Sequence, residues 1–216
     1  MRLKQYLNEE YNLDDIDEII TILKKDCKLY INDVQRYYHN NFLFSGRKSN
    51  AFFAKKKVRK NRKPKDTPIE IHDLMDDWFY KKFGIRFRSN SFFGSFEEST
   101  VTLYGKPFII FPIGKYSAIS SPVVNDVYSE IEEETYDTLG KYIDLESEWK
   151  GLSDTDKEKI LITVEEILNK ADYKDIRKRY VRLPEVMIHC KEYYILRRWG
   201  INKAIGVNGL LTKLTT

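Results

Sequence analysis

The longest apolar run of the chain, PFIIFPIG, constrains its fold more than any other feature. Its core, Phe108 to Ile113, is interrupted by Pro112 and is far shorter than the roughly 20 apolar residues of a membrane-spanning helix. A short run rich in Phe and Ile is typical of a buried β-strand. We therefore expect a soluble protein without a membrane partner, in which Lys106 to Ile113 and Tyr116 to Ser120 pair as strands around Gly114.

The size and composition of the chain favour one principal domain. Its 216 residues, 42% of them hydrophobic and 14% aromatic, are enough for one well-filled core or a core with a small appendage. Cys27 and Cys190 are its two cysteines, and the chain opens without a positively charged leader followed by an apolar segment. We therefore expect a protein of the cytosol without disulfides.

Several segments space their apolar residues as helices do. Asp14 to Gln35 is the first, with a break near Cys27, and it predicts an N-terminal helical layer. TPIE, Thr67 to Glu70, supplies a capping hydroxyl, a proline at the first helical position and a glutamate at the third, and it predicts a helix as far as Gly84. Two further predicted helices are Val123 to Leu139 and the one that opens at Ser153.

Three other segments have the pattern of strands. NFLFSG, Asn41 to Gly46, is a short apolar run closed by glycine. IRFRSNS alternates, which would place Phe87, Ser89 and Ser91 on one face of a strand. PEVMIHCKEYYILRR, near the end of the chain, predicts a β-hairpin. Because helices and strands intermix along the chain, the predicted fold class is α+β.

The segment AKKKVRKNRKPK, residues 54–65, holds most of the excess positive charge. Eight lysines and arginines crowd together there with no acidic residue between them. Like charges this dense disfavour a packed element, so the segment is predicted to be an exposed loop. It is either a solvated, flexible connection, or a surface from Lys55 to Lys65 that binds nucleic acid or a nucleotide's phosphates, or a contact for an acidic protein partner.

Common catalytic motifs are absent from the sequence. It has no P-loop, paired CxxC zinc site, H-E-x-x-H helix or short internal repeat. His39, His72 and His189 are scattered, as packing or surface histidines are, so no metal site is expected. Ser91 lacks the G-x-S-x-G pattern that exposes a hydrolase nucleophile, so acyl transfer is not expected.

Three separated motifs together resemble one family. FLFSGRK is similar to the first core strand, RSNS to the Ser-x-Ser strand, and PEVMIHCKEYYIL to the late glutamate-bearing segment of the ADP-ribosyltransferase fold, in its arginine, Ser-x-Ser and glutamate class. The resemblance covers Asn41 to Leu196, and the blocks between the motifs resemble uncharacterised phage proteins. It implies a split, mostly antiparallel β core with flanking helices in residues 41–216, and an N-terminal helical extension in residues 1–40.

The same resemblance implies the roles of individual residues. Glu185 would be the catalytic carboxylate that stabilises the oxocarbenium ion formed when the nicotinamide–ribose bond of NAD breaks. Ser89 would orient Glu185, Ser91 would support the pocket, and Phe92 or Phe93 would stack on nicotinamide. The alternative is that the hydroxyl groups simply end a strand and that Glu185 faces solvent.

Two positions depart from the family pattern. Ser45 stands where the family carries its NAD-binding arginine, and Arg47, on the same strand face, is the candidate replacement, with Gly46 between them. Gly46 could equally bend the strand and spoil that geometry. Leu183 stands two residues before Glu185, where arginine-modifying members carry a second acid, so arginine is not the expected acceptor.

These expectations combine into one functional hypothesis and one rival. The hypothesis is that a phage-encoded protein transfers ADP-ribose from NAD to a host macromolecule, acting in the host cytoplasm or carried in a virion. The rival is a catalytically silent, virion-associated component of the same fold, which uses its basic loop to contact a host or viral protein or nucleic acid. Convergence of Ser89, Ser91, Glu185 and Arg47 on one cleft would distinguish the two.

Overall fold

The computed structural model describes residues 15–64, 67–178 and 185–216. The helices are α1 (Ile16–Asp26), α2 (Lys28–Arg36), α3 (Ile69–Phe83), α4 (Phe87–Asn90), α5 (Glu98–Thr102), α6 (Val127–Leu139), α7 (Leu145–Glu148), α8 (Asp154–Lys170), α9 (Arg198–Ala204) and α10 (Gly206–Thr215), with a short 3-10 helix at Trp149–Gly151. The strands are β1 (Phe44–Arg47), β2 (Phe53–Lys57), β3 (Phe92–Gly94), β4 (Lys106–Pro112), β5 (Tyr116–Ser120), β6 (Lys174–Asp175), β7 (Val186–Cys190) and β8 (Glu192–Arg197). None of the helices in these ranges is long and apolar enough to cross a bilayer.

The described strands form two separate four-stranded sheets. Sheet A has the order β1-β4-β8-β2 and sheet B the order β3-β7-β5-β6, and neighbouring strands are antiparallel throughout. Helices and strands alternate along the chain. The predicted α+β class, with a split antiparallel core, is therefore confirmed, whereas membership of a family stays a prediction.

Two predicted strand pairs are wrong, because both connections cross from one sheet to the other. β7 and β8 are separated by Lys191 alone, which is shorter than the two-residue loop of the tightest common hairpin. β4 and β5, on either side of Gly114, also lie in different sheets. β4 and β8 pair instead with each other at the centre of sheet A, where Phe108 to Phe111 and Tyr193 to Leu196 are buried.

α1 and α2 pack against sheet A. The two helices confirm the predicted N-terminal helical layer, and the predicted break between them falls at the fully buried Cys27. Leu23, Tyr30 and Val34 belong to the same hydrophobic cluster as β4 and β8, and the Leu43 backbone N–H donates to the Tyr30 hydroxyl at 2.8 Å. The N-terminal helices thus share one core with the sheet, and the predicted division at residue 40 stays a prediction.

α3 confirms the helix predicted from TPIE, although its predicted cap is wrong. The helix ends at Gly84, whose φ of 72° is left-handed, and it buries Ile71, Met75 and Phe79 in a second core against sheet B. Its N-cap is Pro68, with φ −51° and ψ 142°, and no side chain caps the first turn. Proline fits this extended position because its ring fixes φ near −65°.

α6 and α8 complete the second core. α8 begins after Ser153, whose hydroxyl accepts the backbone N–H of Asp156 at 3.1 Å, as predicted. α6 begins at Val127 rather than at Val123, because the carboxylate of Asp126 accepts two backbone N–H groups of the first turn. The side-chain cap, rather than the apolar pattern, fixes where α6 starts.

The segment RSNS is helical, so the strand predicted there is wrong. α4 covers Phe87–Asn90, and extended backbone resumes at Ser91, just before β3. The buried carboxylate of Asp76, on α3, accepts the backbone N–H groups of Arg88 at 2.8 Å and Ser89 at 3.2 Å. This tertiary contact caps the helical turn, and it outweighs the strand-like alternation of side chains in IRFRSNS. Ser89 and Ser91 therefore do not share a strand face.

The edges of the two sheets are hydrogen-bonded where β1 reaches the end of β3. Phe44 and Ser95 exchange two backbone hydrogen bonds, of 2.7 and 2.9 Å, and the Ser45 hydroxyl donates to the Phe93 carbonyl at 2.8 Å. We call these three bonds the β1–β3 junction. The junction holds the last residues of β1 beside the edge strand of sheet B.

Gly46→Ala is expected to destabilise the fold, because a Cβ at Gly46 would lie 2.1 Å from the Val101 carbonyl oxygen of α5. We expect a loss of about 2 kcal/mol in the free energy of unfolding, measured by urea denaturation. Gly151→Ala is the control, since a Cβ there meets no atom within 4 Å, and it should stay within about 0.5 kcal/mol of the unmodified protein. Equal effects of the two substitutions would contradict the close approach of β1 to α5.

Candidate functional site

Arg47, the last residue of β1, turns its side chain towards β3, as Ser45 does two residues earlier. Its guanidinium carbon lies 5.4 Å from the centre of the Phe92 ring and 5.5 Å from that of Tyr193, and these two rings stack at 4.2 Å. Its Nε and Nη2 are buried and have no hydrogen-bond partner in the part of the chain that the structure describes. An anion bound here would satisfy these donors.

β1 stays regular through Gly46, so the bend considered for this residue does not occur. Its register with β4 is continuous from Phe44 to Arg47. Ser45 is 5% exposed and is bonded to the Phe93 carbonyl, so an arginine at that position would have to bury its charge inside the β1–β3 junction. Arg47, rather than residue 45, is therefore the residue of β1 placed to hold an anion.

Phe92 has no open face for a ligand. The residue is 6% exposed, its ring stacks on Tyr193 with an interplanar angle of 24°, and the guanidinium carbon of Arg47 lies beside this stacked pair. The stacking on nicotinamide that the resemblance implied therefore does not fit Phe92. Its place in the site is to fix the guanidinium of Arg47.

Two further arginines lie over Phe93, on the opposite face of β3. The guanidinium carbon of Arg62 is 5.0 Å from the centre of the Phe93 ring, and that of Arg88 is 5.2 Å from it. Partial burial of its guanidinium lowers the pKa of Arg62, and the charge of Arg88 lowers it further. Among the described residues, no carboxylate lies within 4 Å of either side chain. We call Arg47, Arg62 and Arg88 the arginine cluster.

The predicted basic loop is in part a strand. β2 covers Phe53–Lys57, at an edge of sheet A, so the irregular segment begins only at Val58. From Lys55 to Lys63 every residue except Val58 is exposed, which agrees with the predicted exposure. Lys65, the last cation of the predicted loop, lies outside the described residues.

The irregular segment after β2 is hydrogen-bonded to α4, so it is not the free, flexible loop that was considered. The backbone N–H of Arg62 donates to the Ser89 carbonyl at 3.0 Å, and that of Asn61 donates to the side-chain oxygen of Asn90 at 3.2 Å. These bonds hold Arg62 above Phe93. The anchoring brings one end of the basic segment into the candidate site.

Glu185 lies on the Phe93 side of sheet B. It stands directly before β7 and two residues before Met187, which pairs with Phe93. Side chains two residues apart along extended chain share a face, so Glu185 points to the side where Arg62 and Arg88 lie. No described lysine, arginine or histidine forms an ion pair with it within 4 Å.

The surroundings of Glu185 raise the pKa of its carboxyl group towards neutral pH. Burial raises the pKa of Glu185 to about 7, against the opposing effect of the Arg88 charge. Asp126 contributes to the rise and Arg62 opposes it. A carboxyl group with this pKa changes charge in the physiological range, as catalytic acids and bases often do. Leu183, where a second acid was considered, lies outside the described residues.

The hydroxyl of Ser89 is bonded to α3. It donates to the buried carboxylate of Asp76 and lies 3.1 Å from Nε2 of His72. Because its hydrogen points to Asp76, Ser89 accepts from the His72 ring, whose pKa is lowered by burial. His72 therefore does not act as a base towards Ser89, and the three residues lack the arrangement of a catalytic triad. No hydrogen bond joins Ser89 to Glu185 within the described ranges.

The four residues expected to converge are only partly brought together. Arg47 and Glu185 flank the edge strand β3, on its two faces. Ser89 lies next to this strand but turns its hydroxyl to Asp76. Ser91 is 3% exposed, and its hydroxyl has no hydrogen-bond partner in the part of the chain that the structure describes. The structure thus offers an arginine and a glutamate without the orienting serine.

Three residues of the site were not among the predicted catalytic or NAD-binding residues: Asp76, Arg62 and Arg88. The position of Asp76 could have been recognised from the sequence. Asp76 follows Met75 on the face of α3 that buries Phe79, and an ionisable residue at a buried position needs a specific partner. Arg62 belongs to the basic segment that was predicted as a possible phosphate-binding surface, whereas Arg88 carried no such signal. Their stacking on Phe93 depends on hydrogen bonds between distant segments.

A cavity of about 410 Å³ borders Arg47 at the end of β1. Its other lining residues are Lys48, Ser49, Asn50, Gly105 and Lys106. A second cavity, of about 310 Å³, lies against sheet B and includes none of the predicted site residues in its lining. Lys48 and Lys106 thus add positive charge beside Arg47, whereas Arg62, Arg88 and Glu185 do not line this cavity.

Comparisons with known proteins found no match among protein-family models, curated proteins or solved structures. The function of the site is therefore interpreted from its own geometry together with the resemblance of its motifs.

Glu185→Gln is expected to stabilise the protein at pH 8 and to change little at pH 4. The carboxyl group has an ordinary pKa of 4.5 and a pKa of about 7 in the fold, so the unfolded chain loses this proton first. The unmodified protein should therefore lose stability as pH rises from 4.5 to 7, by about 1 to 3 kcal/mol, and glutamine removes this loss. Thermal unfolding at both pH values measures the effect.

Glu165→Gln, at an exposed position of α8, is the control and should show no such dependence on pH. A pH-independent difference between Glu185→Gln and the unmodified protein would contradict the burial of Glu185.

Proposed function

We propose that the protein binds NAD at the edge of β3 and breaks its nicotinamide–ribose bond. The observation that carries this proposal is the arginine cluster, whose guanidinium groups lie against aromatic rings without acidic partners in the described residues, with Arg62 and Arg88 on the same side of β3 as Glu185 and Arg47 on the other side. The resemblance of FLFSGRK and PEVMIHCKEYYIL to the family's motifs supports NAD as the ligand.

The arginine cluster supplies the charge that a pyrophosphate requires. Arg47 lies on one face of β3, whereas Arg62 and Arg88 lie on the other, so a ligand that passes over this edge strand can contact both sets. Guanidinium groups form paired hydrogen bonds with phosphate oxygens, and stacking on a ring fixes their orientation before the ligand arrives. The buried, unpartnered donors of Arg47 would then be satisfied.

Glu185 supplies the negative charge at the reacting sugar. When the bond between C1′ of the ribose and the nicotinamide nitrogen breaks, its electron pair leaves with nicotinamide and C1′ gains oxocarbenium character. The ionised carboxylate stabilises that charge, and an acceptor nucleophile or water then bonds to C1′ and releases its proton to solvent. The positive nicotinamide ring of bound NAD favours the ionised form of Glu185.

The acceptor in this proposal is a host or viral macromolecule. Phage origin, and action in the host cytoplasm or within a virion, belong to the same proposal, because they rest on the resemblance of the sequence blocks between the motifs.

A second candidate function, binding of a phosphate-bearing ligand without catalysis, is favoured by the contacts of Ser89. The hydroxyl expected to orient Glu185 is bonded to Asp76 and His72 instead. A site with the arginine cluster and a carboxylate that is not held in place can bind a nucleotide and leave it intact.

Calorimetric titration with NAD tests the binding step. We expect Arg62→Gln to weaken NAD binding about tenfold or more, because it removes charge-assisted hydrogen bonds to phosphate. Arg36→Gln, at an exposed position on α2, removes the same charge away from the site and should leave binding unchanged. Absence of NAD binding by the unmodified protein at millimolar concentration would refute the proposal.

Nicotinamide release from NAD tests the chemical step. We expect Glu185→Gln to retain NAD binding and to lower the release rate by about 100-fold or more. In the unmodified protein the rate should rise with pH through about 7, as the Glu185 carboxyl ionises. Binding of NAD with no release at any pH would select the second candidate function.

A further inference from the structure

The arginine cluster continues into a longer row of cations on one face of β2. Lys56 pairs with Tyr193 on β8, and the ring of Tyr193 lies beneath Arg47, so Lys56 is on the Arg47 side of sheet A. Burial is the main cause of the lowered pKa of Arg47. The charge of Arg59, three residues after Lys56, lowers this pKa further. The charge of Arg59 also lowers the pKa of Arg62, after the larger effects of burial, Arg88 and Arg47.

The opposite face of β2 has a different charge. Lys55 forms an ion pair with Glu192 at 2.9 Å, and its cross-strand partner Tyr194 donates to Asp26 at 2.8 Å. Within the described ranges, neither Lys56 nor Arg59 has an acidic group within 4 Å. The fold thus divides the basic segment into a neutralised face and a face that stays positively charged.

The charge of Lys56 and Arg59, added to that of the arginine cluster, exceeds what NAD would neutralise. Lys56 and Arg59, together with the arginine cluster, give five cations, which we call the cationic track, and Glu185 is the carboxylate beside them. The pyrophosphate of NAD carries two negative charges. The surplus suits a ligand that presents a row of negative charges.

The rings beneath the track favour a nucleic acid over an acidic protein. Phe92 is 6% exposed and Tyr193 is 5% exposed, and Phe93, beneath Arg62 and Arg88, is only partly exposed, so the rings of the track present little apolar surface beside its charge. Protein interfaces combine charge with an apolar, aromatic core. Lysine and arginine contacts to phosphates are sufficient to hold a nucleic-acid backbone.

We infer that the cationic track binds the sugar–phosphate backbone of a nucleic-acid strand and leads it to the edge of β3 beside Glu185. Binding of the strand does not depend on NAD. Its use as the acceptor of ADP-ribose does rest on the proposed function.

Fluorescence anisotropy with labelled 20-nucleotide single strands of RNA and DNA, in the absence of NAD, tests the inference. We expect Lys56→Gln combined with Arg59→Gln to weaken binding about tenfold and to reduce the slope of log affinity against log salt by about 1.4, since each lost phosphate contact in a single strand accounts for about 0.7. The RNA and DNA probes show whether the ribose 2′-hydroxyl contributes.

Lys24→Gln combined with Lys25→Gln is the matched control, because it removes two exposed lysines from α1 and the same net charge. Its affinity should change less than twofold and its salt slope should stay the same. An equal loss in both double variants, or no binding by the unmodified protein, would overturn the inference. Polyglutamate of the same charge is a further probe, and equal or tighter binding to it would indicate an acidic protein partner instead.

These outcomes are distinguishable from those of the NAD experiments. A protein that binds the oligonucleotide and not NAD supports this inference and refutes the cofactor proposal. A protein that binds NAD and not the oligonucleotide refutes this inference alone.

Discussion

The β1–β3 junction is the constraint on which the candidate site depends. Two backbone hydrogen bonds between Phe44 and Ser95, and one from the Ser45 hydroxyl to Phe93, hold the edge of sheet A against the edge of sheet B. Sheet A shares one core with one face of sheet B, through residues such as Phe92 and Ile188, whereas α3, α6 and α8 cover the other face of sheet B. The candidate site lies where the hydrogen-bonded edges of the two sheets meet. The junction brings Arg47 from one sheet next to the strand that pairs with the segment after Glu185.

The energetics of the arginine cluster explain why this edge is suited to bind anions. Stacking of a guanidinium on an aromatic ring contributes about 0.5 to 2 kcal/mol, whereas a buried polar group without a hydrogen bond costs about 1 to 3 kcal/mol. The free-energy cost of the buried, unpartnered donors of Arg47 thus offsets the stabilisation from its contacts with Phe92 and Tyr193. A bound phosphate would remove that cost and keep the stacking, so the site gains more from an anion than an exposed arginine would.

The parts of the fold that depend on local pattern could be predicted from the sequence, and those that depend on distant contacts could not. The break at Cys27 and the start of a helix at Ser153 follow from the local spacing of apolar residues, and the structure confirms both. The strand predicted across Ser89 failed because a carboxylate of another helix, Asp76, caps that turn. The predicted hairpin after Glu185 failed because strand periodicity shows which residues are extended, and the choice between two sheets depends on long-range pairing.

A crystal structure of the protein with ADP-ribose tests most directly whether the arginine cluster and Glu185 form one site. We expect the pyrophosphate to lie within hydrogen-bonding distance of Nε or Nη2 of Arg47 and of the guanidinium of Arg62, with the ribose C1′ towards Glu185. ADP-ribose bound in the cavity against sheet B, with both donors of Arg47 still without a partner, would contradict this expectation.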